Sequence, residues 1–235
     1  MARTIPADRF TQLIAVATKT FVARGYRLTQ MSDVAEALGV AKGTLYGYVE
    51  SKEALFDAAV RFADGQVEAP EPSALPLATP AAGSTVLYIR ERLMEEARQL
   101  ELVAALSRPK AARVKADEFE SIVRDLYRRM SRNRRALKLV DRCAIDHPEL
   151  ASVWFEQGRY GQVALLATYL EKRVAEGKLR PVPNVQLAAR MVLETVALWA
   201  IHMPWDAAPR PFADADVESA VVDMLVHAYA KEKAR

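Results

Sequence analysis

Lys42, Gly43 and Thr44 follow one another directly, two residues after a Gly39-Val40 pair. At the exposed start of a short helix such a trio has a defined use in a DNA major groove. Lys42 offers an ammonium to guanine acceptors, Gly43 lets the backbone come close, and Thr44 offers a hydroxyl or a methyl. Ala41 begins the same helix. Tyr46 and Tyr48 add phenolic donors, and Lys52 falls in the first turn of the next expected helix, where free amides already favour an anion. These three suit phosphate oxygens. Arg27, Thr29 and Gln30 precede the helix before the turn and suit the flanking DNA backbone.

The surrounding sequence predicts the elements that would hold these groups. Phe10, Leu13, Ile14, Ala17 and Phe21 recur at intervals of three and four, so residues 7–24 read as one amphipathic helix that Gly25 stops. A second helix is expected over 31–38, with Asp33 in its first turn. Val34, Ala35 and Leu38 face inward, and Gly39 supplies the left-handed residue that ends it. The third helix, 42–46, must be brief because Gly47 follows, and the fourth begins at Ser51, whose hydroxyl caps it. Ala35 is small where two helices approach, and Val40 plugs the space between them.

The stretch GYRLTQMSDVAEALGVAKGTLYGYVESKEAL, residues 25–55, is a helix, a Gly-containing turn and a short helix. It resembles the TetR family of bacterial transcriptional regulators at nearly every fixed position of that family's pattern. The resemblance covers about 50 residues; the rest is similar only in being helical and of the expected length. Three positions depart from the pattern. Gln30 and Ala41 stand where the family often has Ser or Thr, so two helix starts are expected to lack a side-chain cap, at about 1 kcal/mol each. Val49 replaces the common Phe. The resemblance implies an N-terminal helix-turn-helix domain that binds a double-stranded DNA operator, and a second region that dimerises and senses a small molecule.

From 69 to 80 the chain reads APEPSALPLATP, four prolines in twelve residues, which breaks helix repeatedly. The expected division is therefore a DNA-binding domain at 1–65, a Pro-rich linker at 66–82 and a larger helical effector-binding and dimerisation domain at 83–235. The latter has helices near 83–105, 116–131, 133–145, 148–177, 184–203 and 213–232. No alternating β-branched runs occur, so the fold class is all-α.

In the second region the residues alone leave alternatives open. Phe155, Gly158, Gln162, Leu165 and Tyr169 share a face of the 148–177 helix. Gly158 and Gly161 each cost about 1 kcal/mol relative to Ala in a helix interior, offset either by a tightly packed neighbour or by room for a ligand. Trp199 and His202 join these as effector candidates, as does Cys143, which also reads as a small buried hydrophobe. Met191 and Thr195 lie on a helix apolar around most of its circumference. Val217, Val221, Met224 and Ala228 recur at coiled-coil-like spacing, so both helices are candidates to pair with their copies in a four-helix bundle. The basic stretch 124–142, with Arg128-Arg129 and Arg132-Asn133-Arg134-Arg135, reads as a solvated face or as a site for an acidic ligand or further phosphate.

Composition narrows the classes. The 235 residues are 51% apolar and 27% charged, an ordinary globular mixture with a formal charge of only +3. Residues 1–65 hold eight Lys/Arg and seven acids, so DNA affinity must come from placement rather than bulk charge. One Cys forms no internal disulfide, and with three scattered His it builds no zinc cage. No signal peptide, membrane span, phosphate-cradling Gly loop or nucleophile elbow appears, so a cytoplasmic protein that is not an enzyme and carries no cofactor or metal is expected. The effector is expected to be apolar or aromatic. The rival reading is a DNA-binding factor whose C-terminal helices bind a protein instead of a small molecule.

Overall fold

The computed structural model describes residues 7–108, 117–208 and 212–231. Positions 116 and 232, the expected limits of two helices, lie outside the described residues. Twelve α-helices account for most of the described chain: α1 (Ala7–Leu28), α2 (Met31–Leu38), α3 (Lys42–Leu45), α4 (Lys52–Phe62), α5 (Ser84–Arg98), α6 (Glu101–Ser107), α7 (Glu118–Arg132), α8 (Arg134–Ala144), α9 (Pro148–Ala151), α10 (Gly161–Ala175), α11 (Val185–Ala197) and α12 (Asp214–Tyr229). π-Helical turns join α9 to α10 over Ser152–Tyr160 and extend α11 over Leu198–His202. Among the described residues there is no β-strand, only two isolated bridges, and no helix is long and apolar enough to cross a membrane.

The chain packs as two compact units, residues 1–91 with 135–155, and residues 92–134 with 156–235. In the first, the α1 stripe of Phe10, Leu13, Ile14, Ala17 and Phe21 is buried against α4, which contributes Leu55, Phe56 and Ala59. Phe10 meets Phe62 edge-on at 5.3 Å, and Phe21 meets Phe56 in the same way at 5.4 Å. The buried faces of α2 and α3, Met31, Val34, Ala35 and Leu45, complete this core.

In the second unit α7 packs against α6, α11 and α12, and α10 against α6 and α11. The single helix expected over 83–105 breaks at Gln99-Leu100. Side chains of α7 satisfy the groups that the break frees: Asp125 accepts the Glu101 N–H at 3.0 Å and Arg129 donates to the Gln99 carbonyl at 2.8 Å. Arg173, 2% exposed, donates to Glu118, 4% exposed, at 2.6 Å. It also donates to Glu176 and to the Ala105 carbonyl, while Arg108 donates to the second oxygen of Glu118. This buried charge cluster ties α6, α7 and α10 together.

Arginines of the basic stretch are ion-paired, while Arg128 and Arg132 stay largely exposed to solvent. Arg124 and Arg128 pair with Glu218 of α12, Arg129 with Asp125 and Glu96, and Arg134 with Asp214. On α12 the inward stripe is Val221, Val222, Leu225 and Tyr229. Val221 therefore belongs to the core of its unit. Val221 and Leu225 are buried, whereas Met224 and Ala228 are exposed.

Candidate nucleic-acid interface

Gly25 ends the regular part of α1 with φ 83° and ψ 170°, a conformation that side-chain-bearing residues avoid. Crowding adds a second requirement: a Cβ there would stand 2.4 Å from a carboxylate oxygen of Asp146 and 2.8 Å from Arg142. That carboxylate accepts the backbone N–H groups of Tyr26 at 3.2 Å and of Arg27 at 3.1 Å. Tyr26 packs between Phe21, Phe56 and His147, and its hydroxyl donates to Glu53. Burial first, and Glu53 second, push its pKa up to about 12. The Lys52 ammonium lies 4.6 Å over the same ring and donates to the Tyr26 carbonyl at 3.2 Å.

The turn so fixed leads into α2. Gln30, at its N-cap, shows the expected departure, but Asp33 compensates. The Asp33 carboxylate accepts the Gln30 N–H at 2.8 Å and pairs with Arg24 at 3.0 Å, the returning half of a capping box. Gly39 closes α2 at φ 70°, and the Val40 N–H then reaches the Ala35 carbonyl at 3.0 Å. Ala41 gives α3 no side-chain cap. Leu45 is fully buried and fastens α3 to the core, so Ala41, Lys42 and Gly43 face outward and Thr44 stands half-buried at the edge. A Cβ on Gly43 would meet nothing within 4 Å. Its smallness therefore serves no packing inside the described chain, and the surface there is open to a close approach.

Arg27, Gln30 and Tyr46 are exposed as expected. Thr29 is different. It is 1% exposed, and its hydroxyl donates to the Gly25 carbonyl at 2.7 Å, so it secures the turn instead of facing a partner. Tyr48 is likewise buried, and its carbonyl accepts the Leu77 N–H. Lys52 commits one donor to Tyr26 and keeps its remaining N–H groups for another acceptor.

The effector candidates do not come together as one group. Cys143 is fully buried in the first unit. Burial and the Asp146 carboxylate push the thiol up to about 12. It packs within the first unit, and Phe155 falls in the same unit. Gly158, Gln162, Leu165, Trp199 and His202 are half-buried in the second unit. Nothing lies within 4 Å of a Cβ placed on Gly161, so at this glycine the tightly packed neighbour is missing. Trp199 shares an apolar groove of about 310 Å³ with Phe212, Val217, Ala220, Val221 and Met224. An effector candidate thus sits among dimer candidates. Met191 is 59% and Met224 50% exposed, Ala228 is exposed and Thr195 half-buried.

Sequence reasoning missed Asp146, 120 residues beyond the Tyr26 N–H that it accepts. An acid just before His147-Pro148 signals a helix start, and nothing in its spacing points to Gly25.

Residues 13–59 match the family model for bacterial regulatory proteins of the tetR family, and residues 119–231 match that of the AefR-like transcriptional repressor C-terminal domain. The repressor KstR2 of Rhodococcus jostii is 40% identical over 55 residues, and the uncharacterized regulator YhgD of Bacillus subtilis 44% over 50. These alignments span 23% and 21% of this chain, and 27% and 26% of the relatives. The ketosteroid transcriptional regulator KstR2 of Mycobacterium tuberculosis shares the fold, with a TM-score of 0.60 over 97% of this chain and 98% of that one at 17% identity. With both halves matched and the fold shared along its length, the chain belongs to the TetR family of transcriptional regulators and carries its DNA-binding helix-turn-helix.

Proposed function

We propose that the protein is a ligand-responsive repressor that binds a palindromic operator as a homodimer and is released by a small apolar or aromatic molecule. Residues 1–65 read DNA, 66–82 join the regions, and 83–235 dimerise and bind the effector. Lys42, Gly43 and Thr44, with Ala41 at the helix start, read bases; Arg27, Gln30, Tyr46 and Lys52 hold phosphates. The mounting of α3 carries this reading: a fully buried Leu45 on one side and exposed Lys42 and Gly43 on the other.

Support for self-association is the exposed apolar surface of α11 and α12, with Met191, Met224 and neighbouring Leu187. Thr195, Val217 and Ala228 border it. Gly158, Gln162, Leu165, Trp199 and His202 line the effector site. Release requires the effector to favour a state whose two reading heads no longer fit the groove, since equal affinity for both states shifts nothing. A coupling of about 2–3 kcal/mol weakens operator binding roughly 30- to 150-fold.

Selection from random duplexes, footprinting and light scattering test the first half. The expected result is a dimer on two half-sites about 10 bp apart or a small multiple of that; a monomer on one asymmetric site overturns it. Quenching of tryptophan fluorescence, to which Trp154 and Trp199 contribute, during an effector screen read beside operator affinity tests the second. Absence of any quenching ligand favours a protein partner for the C-terminal helices.

A further inference from the structure

The Pro-rich segment does more than join two regions. Within 76–80, Pro-Leu-Ala-Thr-Pro, the prolines lack an N–H, and Leu77 and Thr79 are two apart, which sets their N–H groups on one side of an extended chain. Both are used. The Leu77 N–H donates to the Tyr48 carbonyl at 2.8 Å, and the Leu77 carbonyl accepts the Glu50 N–H at 3.0 Å, an isolated parallel bridge centred on Val49. The Thr79 N–H donates to the Glu50 carboxylate at 2.9 Å. The Thr79 hydroxyl donates at 2.9 Å to the Ser51 hydroxyl, which itself accepts the Ala54 N–H to cap α4.

The far end of the segment is fastened too. The Thr85 hydroxyl donates to Asp57 at 2.9 Å, Asp57 pairs with Arg61, and Arg61 stacks 3.8 Å from the Tyr88 ring centre. The segment is therefore a strap that leaves the end of α4, reaches back to 48–51 and returns to α4. Its target is the connection between α3 and α4. Only Tyr46 and Gly47 separate the end of α3 from Tyr48, so fixing the Tyr48 and Glu50 backbone limits how far α3 can rotate on Leu45. The only charged residues in 66–82 are Glu68 and Glu71, so the strap brings no cation to DNA.

We propose that Leu77 and Thr79 are positioning residues for DNA reading: through Tyr48, Glu50 and Ser51 they set the orientation of α3, without touching DNA. The inference rests on the assignment of base reading to α3. A displaced recognition helix loses its base contacts and keeps its charge. Affinity for the selected duplex should therefore fall while affinity for random duplex and the salt slope stay as they are.

The test is fluorescence anisotropy of the full chain on selected and random duplexes across a salt series. Leu77→Pro removes the donor to Tyr48 and is expected to weaken selected-duplex binding roughly tenfold, with Leu77→Ala near wild type, because loss of one buried donor is felt where a retained one is not. Thr79→Val is expected to weaken it about threefold, and Thr79→Ser, which keeps the hydroxyl, to restore it. Leu77→Pro binding within twofold of wild type overturns the proposal, and so does a salt slope lower by about one, which would make the strap a phosphate contact. If Leu77→Pro does not fold, equal affinities for Thr79→Val and Thr79→Ser overturn it. Wild-type protein that selects no duplex overturns the assignment of base reading instead.

Discussion

The two compact units use positive charge in opposite ways. In the second unit, residues 124–134 hold five arginines against one acid, yet Arg124, Arg128, Arg129 and Arg134 are each held by carboxylates of their own unit. Residues 1–65 are nearly neutral, and there Lys42 and Arg27 stand exposed. Fields from paired charges cancel over short distance, so what a polyanion meets is set by which cations stay exposed and not by how many a segment contains. The first unit depends on where a few groups are placed; the second depends on pairing.

The buried cluster of Arg173 and Glu118 is where pairing should matter most. Removing one partner strands a charge in the core, which costs about 3–5 kcal/mol, whereas replacing both by apolar residues of similar volume is often close to neutral. Glu118→Ala, which leaves buried Arg173 with Glu176 as its remaining carboxylate and Arg108 without this partner, is expected to lose stability toward the lower end of that range in urea unfolding. The Glu118→Leu, Arg173→Met double variant should recover most of it. A loss below about 1 kcal/mol for Glu118→Ala would mean that water enters the cluster, and the unit would not depend on pairing.

Placement can be broken at Gly25. Gly25→Ala combines a strained positive φ with a clash against Asp146, and is expected to cost about 2–3 kcal/mol. Asp146→Ala leaves the Tyr26 and Arg27 N–H groups without their acceptor, at about 1–2 kcal/mol. Because the second change removes the atom that the first one strikes, the double variant should lose less than the sum of the singles. Strict additivity in chemical denaturation would separate the two residues.

How much of this was legible in the sequence follows from the range of each interaction. The α1 stripe, the Gly25 and Gly39 stops and the exposed start of α3 rest on neighbours three or four residues apart, and periodicity reads those directly. Thr29 and Tyr48 misled because a hydroxyl in a loop looks available until a backbone carbonyl or a packed ring claims it. Asp146 on Tyr26, Glu218 on Arg124 and the strap on Tyr48 involve partners 29 to 120 residues apart, for which the local pattern carries no record. Cys143 shows the same limit. Its burial was legible, and the element that buries it was not.

Base reading by α3 predicts a split between two lysines. Lys42→Ala should cost about 1–3 kcal/mol on the selected duplex and relax preference at one position, with little change on random DNA. Lys52→Ala should weaken both duplexes by a similar, smaller factor, because its ammonium is partly committed to Tyr26. Equal losses on both duplexes for Lys42→Ala would move it to the phosphate-holding group.

The smallest effect concerns Glu218, and it separates the two units most sharply. Burial alone would raise its carboxyl, but hydrogen bonds from Arg128 and Arg124 outweigh burial and hold its pKa below the ordinary carboxylate value. A depressed folded value means that the carboxylate's contribution is fully present above the unfolded pKa and is lost as pH falls through the folded one. Glu218→Gln should therefore lower stability by about 1 kcal/mol or less near neutrality, and the gap between variant and wild type should close under acid conditions where both are neutral. Because Arg128 is largely exposed, added salt should shrink the effect. Operator affinity and its salt slope should not move, since base and phosphate contacts are assigned to α3 and the residues beside it. A steeper slope for Glu218→Gln would show that freeing Arg124 and Arg128 gives DNA new cations, and the basic stretch would then be a masked part of the nucleic-acid surface.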